Sequence, residues 1–399
     1  MILSTAQLRW GRVVLIIFGA ATISYTFWPI QHEHYFWTHS QQVWDDLEAI
    51  ENRTLGFGKI LAINIPSRAD KSDNIALGSS VCNFHVDLID GVLQEDINSK
   101  SYPYNWNYDH QPSEYAARRA HVNGMKRIIR DRIGSAIIME DDADWDVNIK
   151  TQLKSFALGV RALQGTTDTP CSSPYGDDWD ILWIGHCGIE CKEDLPFYRT
   201  PNDPTVPEPR HFLPYFRDPP PFERSDQARL TCTANDGVCS SMYAVSYHGA
   251  QRILAALSVN PSGLAEEINI GAQFDVSLGR MCGKGYLRCF APYPALTGAF
   301  RSAGGAGKAS DIHDEEGEPV GFASWGVLYS TMLNVNRILN GDPVYATWEA
   351  NERESLIPST IDIEDGSIYL KVDDGEREIP SVAIDEQQRK HRVTHISME

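Results

Sequence analysis

Four short apolar runs, each closed by a turn or a polar residue, constrain this chain more than any other feature. Lys59–Ile65 stops at Pro66, Phe84–Ile89 alternates and stops at Asp90-Gly91, Ser135–Met139 runs into Glu140, and Trp179–Gly185 ends on glycine. Runs of this length read as strands, and those without polar alternation read as strands buried on both faces. Helical stretches lie between them. Ser67–Ser80 is a short one. Ser113 reads as the N-cap of a second, with Ala117, His121, Met125 and Ile128 on one face and an end near Gly134. Val147–Leu163 is an amphipathic third, and Met242–Ser246 with Gly249–Leu257 repeats the strand-then-helix succession. This alternation predicts an α/β fold with a mainly parallel sheet covered on both faces, whose ligands bind beyond the carboxyl ends of the strands. Residues 192–226, dense in proline and charge, read as a long loop; Ser367–Val372 and Ile379–Ile384 read as a hairpin around Asp373-Asp374-Gly375.

The first thirty residues set the compartment. Val13–Ile30 carries no charge, and at 1.5 Å per residue its eighteen residues reach about 27 Å, enough to span a hydrocarbon core. Arg9 and Arg12 precede the run and the next Lys or Arg is Arg53, whereas Glu33, Asp45, Asp46, Glu48 and Glu51 follow it. The positive-inside rule then keeps the N-terminus cytoplasmic and exports everything after Ile30. A cleaved signal peptide, with Gly19 and Ala21 near the cut, exports the chain equally. All eight cysteines (82, 171, 187, 191, 232, 239, 282 and 289) lie beyond the run, which suits an oxidising lumen. Cys232 with Cys239 and Cys282 with Cys289 offer local disulfide loops, and Asn52-Arg53-Thr54 is a glycosylation sequon. A formal charge of −19 excludes a general nucleic-acid binder, which needs a basic surface.

The chemistry concentrates in the stretch Ile137 to Asp146, IIMEDDADWD. Carboxylates crowded at a strand end repel one another, and a divalent cation relieves that repulsion. Glu140, Asp142 and Asp144 are therefore candidate ligands for Mn²⁺ or Mg²⁺, ions that share their shells with substrate phosphates and stabilise a leaving diphosphate. The plainer alternative is an exposed acidic turn that caps the helix near Asn148. His121, on the apolar face of its helix, is either a packed core histidine or a catalytic group. The glycine-rich loop Arg301–Lys308 joins close-approach glycines to two cations, as phosphate loops do, although it lacks the Walker pattern; a plain surface loop is the alternative.

In this order the motifs resemble glycosyltransferase family 25, the lipooligosaccharide and collagen galactosyltransferase group, and its fungal membrane-anchored branch in particular. Ile63–Lys71 is similar to the family's opening INL-x-R-x-D-R pattern, and Arg119-Ala120-His121 to its x-SH helix, with Ala120 where Ser is usual. Met139–Asp142 resembles its LEDD strand end, and Trp179–Gly185 its WDLxYLG strand. Tyr243–Ala250 resembles a later Y-x-IS-x-x-GA segment, and Ala303–Ile312 the fungal AG…SDI tail, so that the resemblance spans about residues 57–340.

The resemblance implies a GT-A type, Rossmann-like transferase with Mn²⁺ or Mg²⁺ at the EDD motif. Its donor would be a UDP-sugar, UDP-galactose foremost, and its acceptor a hydroxyl on a glycan, a lipid-linked group or a protein. It also implies type II topology in the Golgi or endoplasmic-reticulum membrane. The chain then divides into a cytoplasmic tail (1–12), a transmembrane anchor (13–30), a stem (31–56), the transferase domain (57–345) and a C-terminal extension (346–399). On this reading Glu140, Asp142 and Asp144 hold metal and diphosphate, Asn64, Arg68 and Asp90 line the nucleotide, and Arg301 closes over it. Asp180 and Asp275 are candidate general bases for the acceptor hydroxyl, with His121 a further catalytic candidate. Two other classes stay open: a glycoside hydrolase with two separated carboxylates, and a non-catalytic lumenal carbohydrate-binding protein.

Overall fold

The computed structural model describes residues 47–167, 170–212, 219–259, 271–305, 308, 310–312, 318–348, 361–373 and 375–380. The predicted tail and anchor and residues 31–46 of the stem lie outside them. Among the described residues no helix is long and apolar enough to cross a membrane. Leu47–Glu51, assigned above to the stem, is a tight helical turn that buries Ile50, and Leu55 and Phe57 follow it into the core.

Strand β1 (Lys59–Asn64) leads into helix α1 (Ala69–Val81), β2 (Asp87–Asp90), α2 (Pro112–Arg130) and β3 (Ser135–Glu140). Helix α2 is capped by Gln111, which forms a capping box with Glu114, and Pro112 occupies the first turn, where its missing N–H costs nothing. Ser113 therefore lies inside the helix, whose cap stands two residues earlier than expected. The two central strands alternate strictly. Ile60, Ala62, Ile137 and Met139 face one core, and Leu61, Ala136 and Ile138 face the other. A strand apolar on both faces requires helices on both sides. On the first side α1 and α3 (Ile149–Gln164) contribute Ile75, Leu153, Phe156 and Val160. On the second, α2 contributes Val122, Met125 and Ile128; α4 (Tyr247–Leu254) and α5 (Phe274–Gly283) add Ile253, Leu278 and Met281.

The sheet is mixed, which corrects the mainly parallel expectation. β1 pairs in parallel with β2 and β3, and β5 (Ile181–Gly185) with β10 (Cys289–Tyr293), but β9 (Met242–Ser246) lies antiparallel between β3 and β5. The long strand β8 (Arg229–Val238) pairs antiparallel with β10, with β6 (Gly188–Cys191) and with β7 (Phe197–Thr200). β13 (Ser367–Val372) and β14 (Gly375–Glu378) extend that side, the hairpin's second strand starting at Gly375 rather than Ile379. Because β9 reverses twice, β1, β2, β3, β5 and β10 all run the same way and share one carboxyl edge. A separate three-stranded sheet joins β4 (Ala143–Trp145), β11 (Thr297–Arg301) and β12 (Ala323–Trp325), and α6 (Thr331–Asn340) follows it in the chain.

Three disulfides tie the antiparallel side: Cys187–Cys239, Cys191–Cys232 and Cys282–Cys289. The last is the expected local loop. The Cys232–Cys239 loop does not form, because those residues are separated by the length of an extended strand, about 23 Å at ~3.3 Å per residue, far beyond the reach of a disulfide. Antiparallel pairing of β6 with β8 instead brings Cys191 and Cys187 to them. Cys82 and Cys171 lie outside these three bridges.

Candidate functional site

The carboxyl ends of β2, β1 and β3 open into a cavity of about 340 Å³, within the range of small-molecule sites. Asn64 ends β1, Asp90 sits beside it in register at the end of β2, and Glu140 ends β3. Asn64 is buried, and its amide donates to Asp141 Oδ2 (2.9 Å) and to the Arg68 carbonyl (3.2 Å). Asp90 is exposed at the rim, next to Gly91 in the cavity wall.

Helix α1 starts just past β1 and carries two cations into this edge. Lys71, only 6% exposed, holds Nζ 2.9 Å from Asp141 Oδ1, 2.9 Å from Asp311 Oδ2 and 3.7 Å from Asp142 Oδ2. Arg68, at the helix N-cap, pairs with Asp70 (3.0 Å) and holds Nη1 2.6 Å from both carboxylate oxygens of Asp311. Lys308 reaches Asp70 at 2.8 Å. Four carboxylates (Asp70, Asp141, Asp142 and Asp311) thus share three cations, and Glu140, beside His121, brings the cluster to a formal charge of −2 with that histidine neutral.

The charges are unevenly compensated. Burial works against the ammonium of Lys71, but Asp142, Asp141 and Asp311 together hold its pKa above the ordinary lysine value. Asp142 shows the opposite balance. Burial raises its pKa to about 7, Lys71 opposing and the charges of Glu140 and Asp141 adding to the rise. For Glu140, burial is outweighed by the contacts from His121 and Ser240, and its pKa lies below the ordinary carboxylate value.

His121 lines the cavity from α2 and stacks on Phe274, with ring centroids 4.6 Å apart. Its Nδ1 lies 3.1 Å from the Tyr243 hydroxyl and its Nε2 3.3 Å from Ser240 Oγ, which donates to Glu140 Oε1 at 2.9 Å. All three contacts are satisfied when Nε2–H donates to Ser240 and Ser240 donates to Glu140, with Nδ1 either accepting from Tyr243 or, on a protonated ring, donating to it. The chain of donors fixes where the Glu140 carboxylate points.

The remaining candidates stand elsewhere. Asp144 is fully buried and accepts from Ser324 Oγ (2.7 Å), Ser330 Oγ, Trp145 N (2.9 Å) and Met332 N (3.3 Å), away from the cavity lining. Asp180 precedes the amino end of β5, at the sheet edge opposite the cavity, where it pairs with Arg252 (2.6 Å) and accepts from Arg288 N (2.9 Å). Asp275, in the first turn of α5, accepts from Cys239 N (2.8 Å); burial raises its pKa, with Glu140 near enough to add to the rise. Arg301 lies over the Trp325 ring at 5.2 Å; like Asn64 and Arg68 it is not among the residues lining the cavity, but those two reach the lining through Asp141 and Asp311.

Sequence reasoning did not single out Lys71, Asp141, Asp311 or Ser240 as site residues. Lys71 and Asp141 sit inside quoted motifs and follow from position, one helical turn after Arg68 and the middle of EDD. Asp311 lies inside the quoted SDI segment, but nothing local sets it against Arg68, and Ser240 had no local signal, since each acts across a gap of a hundred residues or more. Neither family models nor curated proteins show a match to this chain.

Proposed function

We propose that this cavity binds a nucleoside diphosphate sugar and that the chain is a glycosyltransferase, moving a hexose from a UDP-sugar to an acceptor hydroxyl. The observation that carries the reading is the meeting of Asn64, Arg68, Lys71, Glu140, Asp141 and Asp142 at the shared carboxyl ends of parallel strands, where α/β sheets bind nucleotides. The motif resemblance to family 25, with its GT-A type domain, supports it from the sequence side. On this reading the catalytic domain faces the Golgi or endoplasmic-reticulum lumen behind residues 13–30.

A Mn²⁺ or Mg²⁺ ion fits the donor set. Glu140 and Asp142 offer hard oxygen donors in a cavity of net negative charge, and Asp142 is the carboxylate left least compensated. Among the described residues no three His, Cys, Asp or Glu side chains form a ready-made metal centre, but two carboxylates completed by substrate phosphates are an ordinary arrangement for Mg²⁺. Bound there, the ion would take up charge developing on the leaving diphosphate. The chain's own groups do the rest: Asn64 and Lys71 hold Asp141 in place, Ser240 and His121 orient Glu140, and Arg68 offers a fixed cation to phosphate oxygens. Asp275, near enough to Glu140 and His121 to feel their charges, is the nearer of the two proposed bases to the cavity.

Titrating UDP into the full-length chain with and without Mn²⁺, then assaying UDP-, GDP- and CMP-sugars, tests the reading. Mn²⁺-dependent UDP binding and hexose transfer are expected. Activity on a glycoside without any nucleotide would favour a hydrolase, and silence with every donor a non-catalytic carbohydrate-binding protein.

A further inference from the structure

Two cations that suit a phosphate are already occupied by the chain itself. Both Asp311 oxygens lie 2.6 Å from Arg68 Nη1, and Oδ2 also lies 2.9 Å from Lys71 Nζ. The carboxylate comes from a segment 240 or more residues downstream, and that segment is tied to the same wall of the cavity. Ser113 Oγ donates to the Ile312 carbonyl (2.6 Å), Arg68 Nη2 to the Lys308 carbonyl (3.1 Å), and Lys308 Nζ to Asp70 (2.8 Å). Ser310, Asp311 and Ile312 all line the cavity.

We infer that Arg68 and Lys71 form a phosphate subsite in which the Asp311 carboxylate stands in for the ligand, so that a diphosphate and Asp311 exchange on the same two cations. This rests on the nucleoside diphosphate reading above and adds a competitor within the chain. The geometry supports exchange because an arginine Nη and a lysine Nζ converging on one oxygen pair serve a carboxylate and a phosphate alike. The charge balance favours it. With Asp311 in place the cluster carries −2 and repels an incoming anion; with Asp311 released it carries −1, which one divalent cation turns positive. Asp311 thus keeps two buried-edge cations paired while no anion is bound and sets a threshold that only a multiply charged ligand overcomes.

The test is Asp311→Asn, which removes the charge and keeps the shape. Inorganic pyrophosphate and UDP are titrated calorimetrically into full-length wild type and variant in Mn²⁺ buffer, with melting temperatures measured in parallel. The variant should bind both about tenfold more tightly, the size of one charge-assisted contact no longer competed for. Adding Arg68→Gln to it should abolish the gain. Wild-type binding with equal or weaker binding by a variant that melts normally would overturn the exchange and leave the transferase reading standing. Binding of neither probe by either protein would overturn both.

Discussion

Glu140-Asp141-Asp142 and Asp144 with Asp146 belong to one acidic run, yet the fold treats its two halves in opposite ways. The first half leaves β3 at the sheet edge, where it meets Lys71, a serine–histidine donor chain and an open cavity. At the next residue, Ala143, the chain enters β4 and the carboxylates turn inward. Asp144 is enclosed by two hydroxyls and two amides; Asp146 accepts from Asn148 N (2.9 Å), Asn148 Nδ2 (2.8 Å) and Tyr329 N (3.0 Å). Burial raises the pKa of both, that of Asp146 to about 7. Hydroxyl and amide donors pin a carboxylate to one purpose, here the docking of the segment that begins α6. A shared ammonium does not, because the same cation can serve another anion. Acidity therefore does not mark a site, whereas incomplete compensation beside a cavity does.

The largest expected effect is on stability and falls on the inner half. Asp144→Ala strips partners from four donors in the interior and should cost roughly 3 kcal/mol or more. Urea denaturation measures it, and a loss no greater than that of Asp142→Ala would erase the distinction between the halves. On the outer half the effect moves to binding. Asp142→Asn should abolish Mn²⁺-dependent UDP binding while leaving the midpoint of unfolding unchanged or slightly raised, since it removes a charge that Glu140 and Asp141 repel. A variant that binds UDP as wild type does would make Asp142 a bystander.

A smaller effect appears in the pH profile without metal. The folded pKa of Asp142, about 7, lies above its ordinary 3.8, so the folded state binds the extra proton between those values. Its contribution to stability is full below pH 3.8 and is lost as pH rises through about 7. Asp146, raised to about 7 by burial, contributes a slope of the same sign. Asp142→Asn should flatten that decline without abolishing it; a profile identical to wild type would mean that Asp142 titrates normally in the folded chain.

How much of this was legible in the sequence follows the range of the interactions. β1, β3 and β5 announce themselves as dense apolar runs, and the position of EDD at a strand end comes with β3. β8 does not, because Leu-Thr-Cys-Thr-Ala-Asn-Asp-Gly mixes small and polar residues and gains its strand state from pairing on both edges. With β8 hidden, the antiparallel side and two of the disulfide pairings stayed hidden too. The same limit applies to the site. Asn64, Arg68, Glu140 and Asp142 are readable from local motifs, but the split between Asp142 and Asp144 depends on Ser324 and Ser330, which lie nearly two hundred residues away. Asp180 misleads for a simpler reason: it precedes its strand, and only the carboxyl ends carry the cavity.

The smallest effect separates two arginines that sequence treats alike. Both Arg68 and Arg301 neighbour phosphate-suited segments, but Arg68 reaches Asp311 at the cavity wall, whereas Arg301 spends its guanidinium on the Trp325 ring and, at 3.5 Å, the Gly321 carbonyl. A cation held on an exposed aromatic contributes about 0.5–1 kcal/mol of local packing and offers little to a ligand it does not face. Arg301→Ala should therefore change UDP affinity by about twofold at most, while Arg68→Ala, which removes a charge-assisted contact, should weaken it about tenfold or more. Calorimetric titration of the two variants side by side reads the difference directly. Equal losses would mean that the 301 segment moves onto the ligand when it binds, and the outer half of the acidic run would then share its anion with a third arm of the chain.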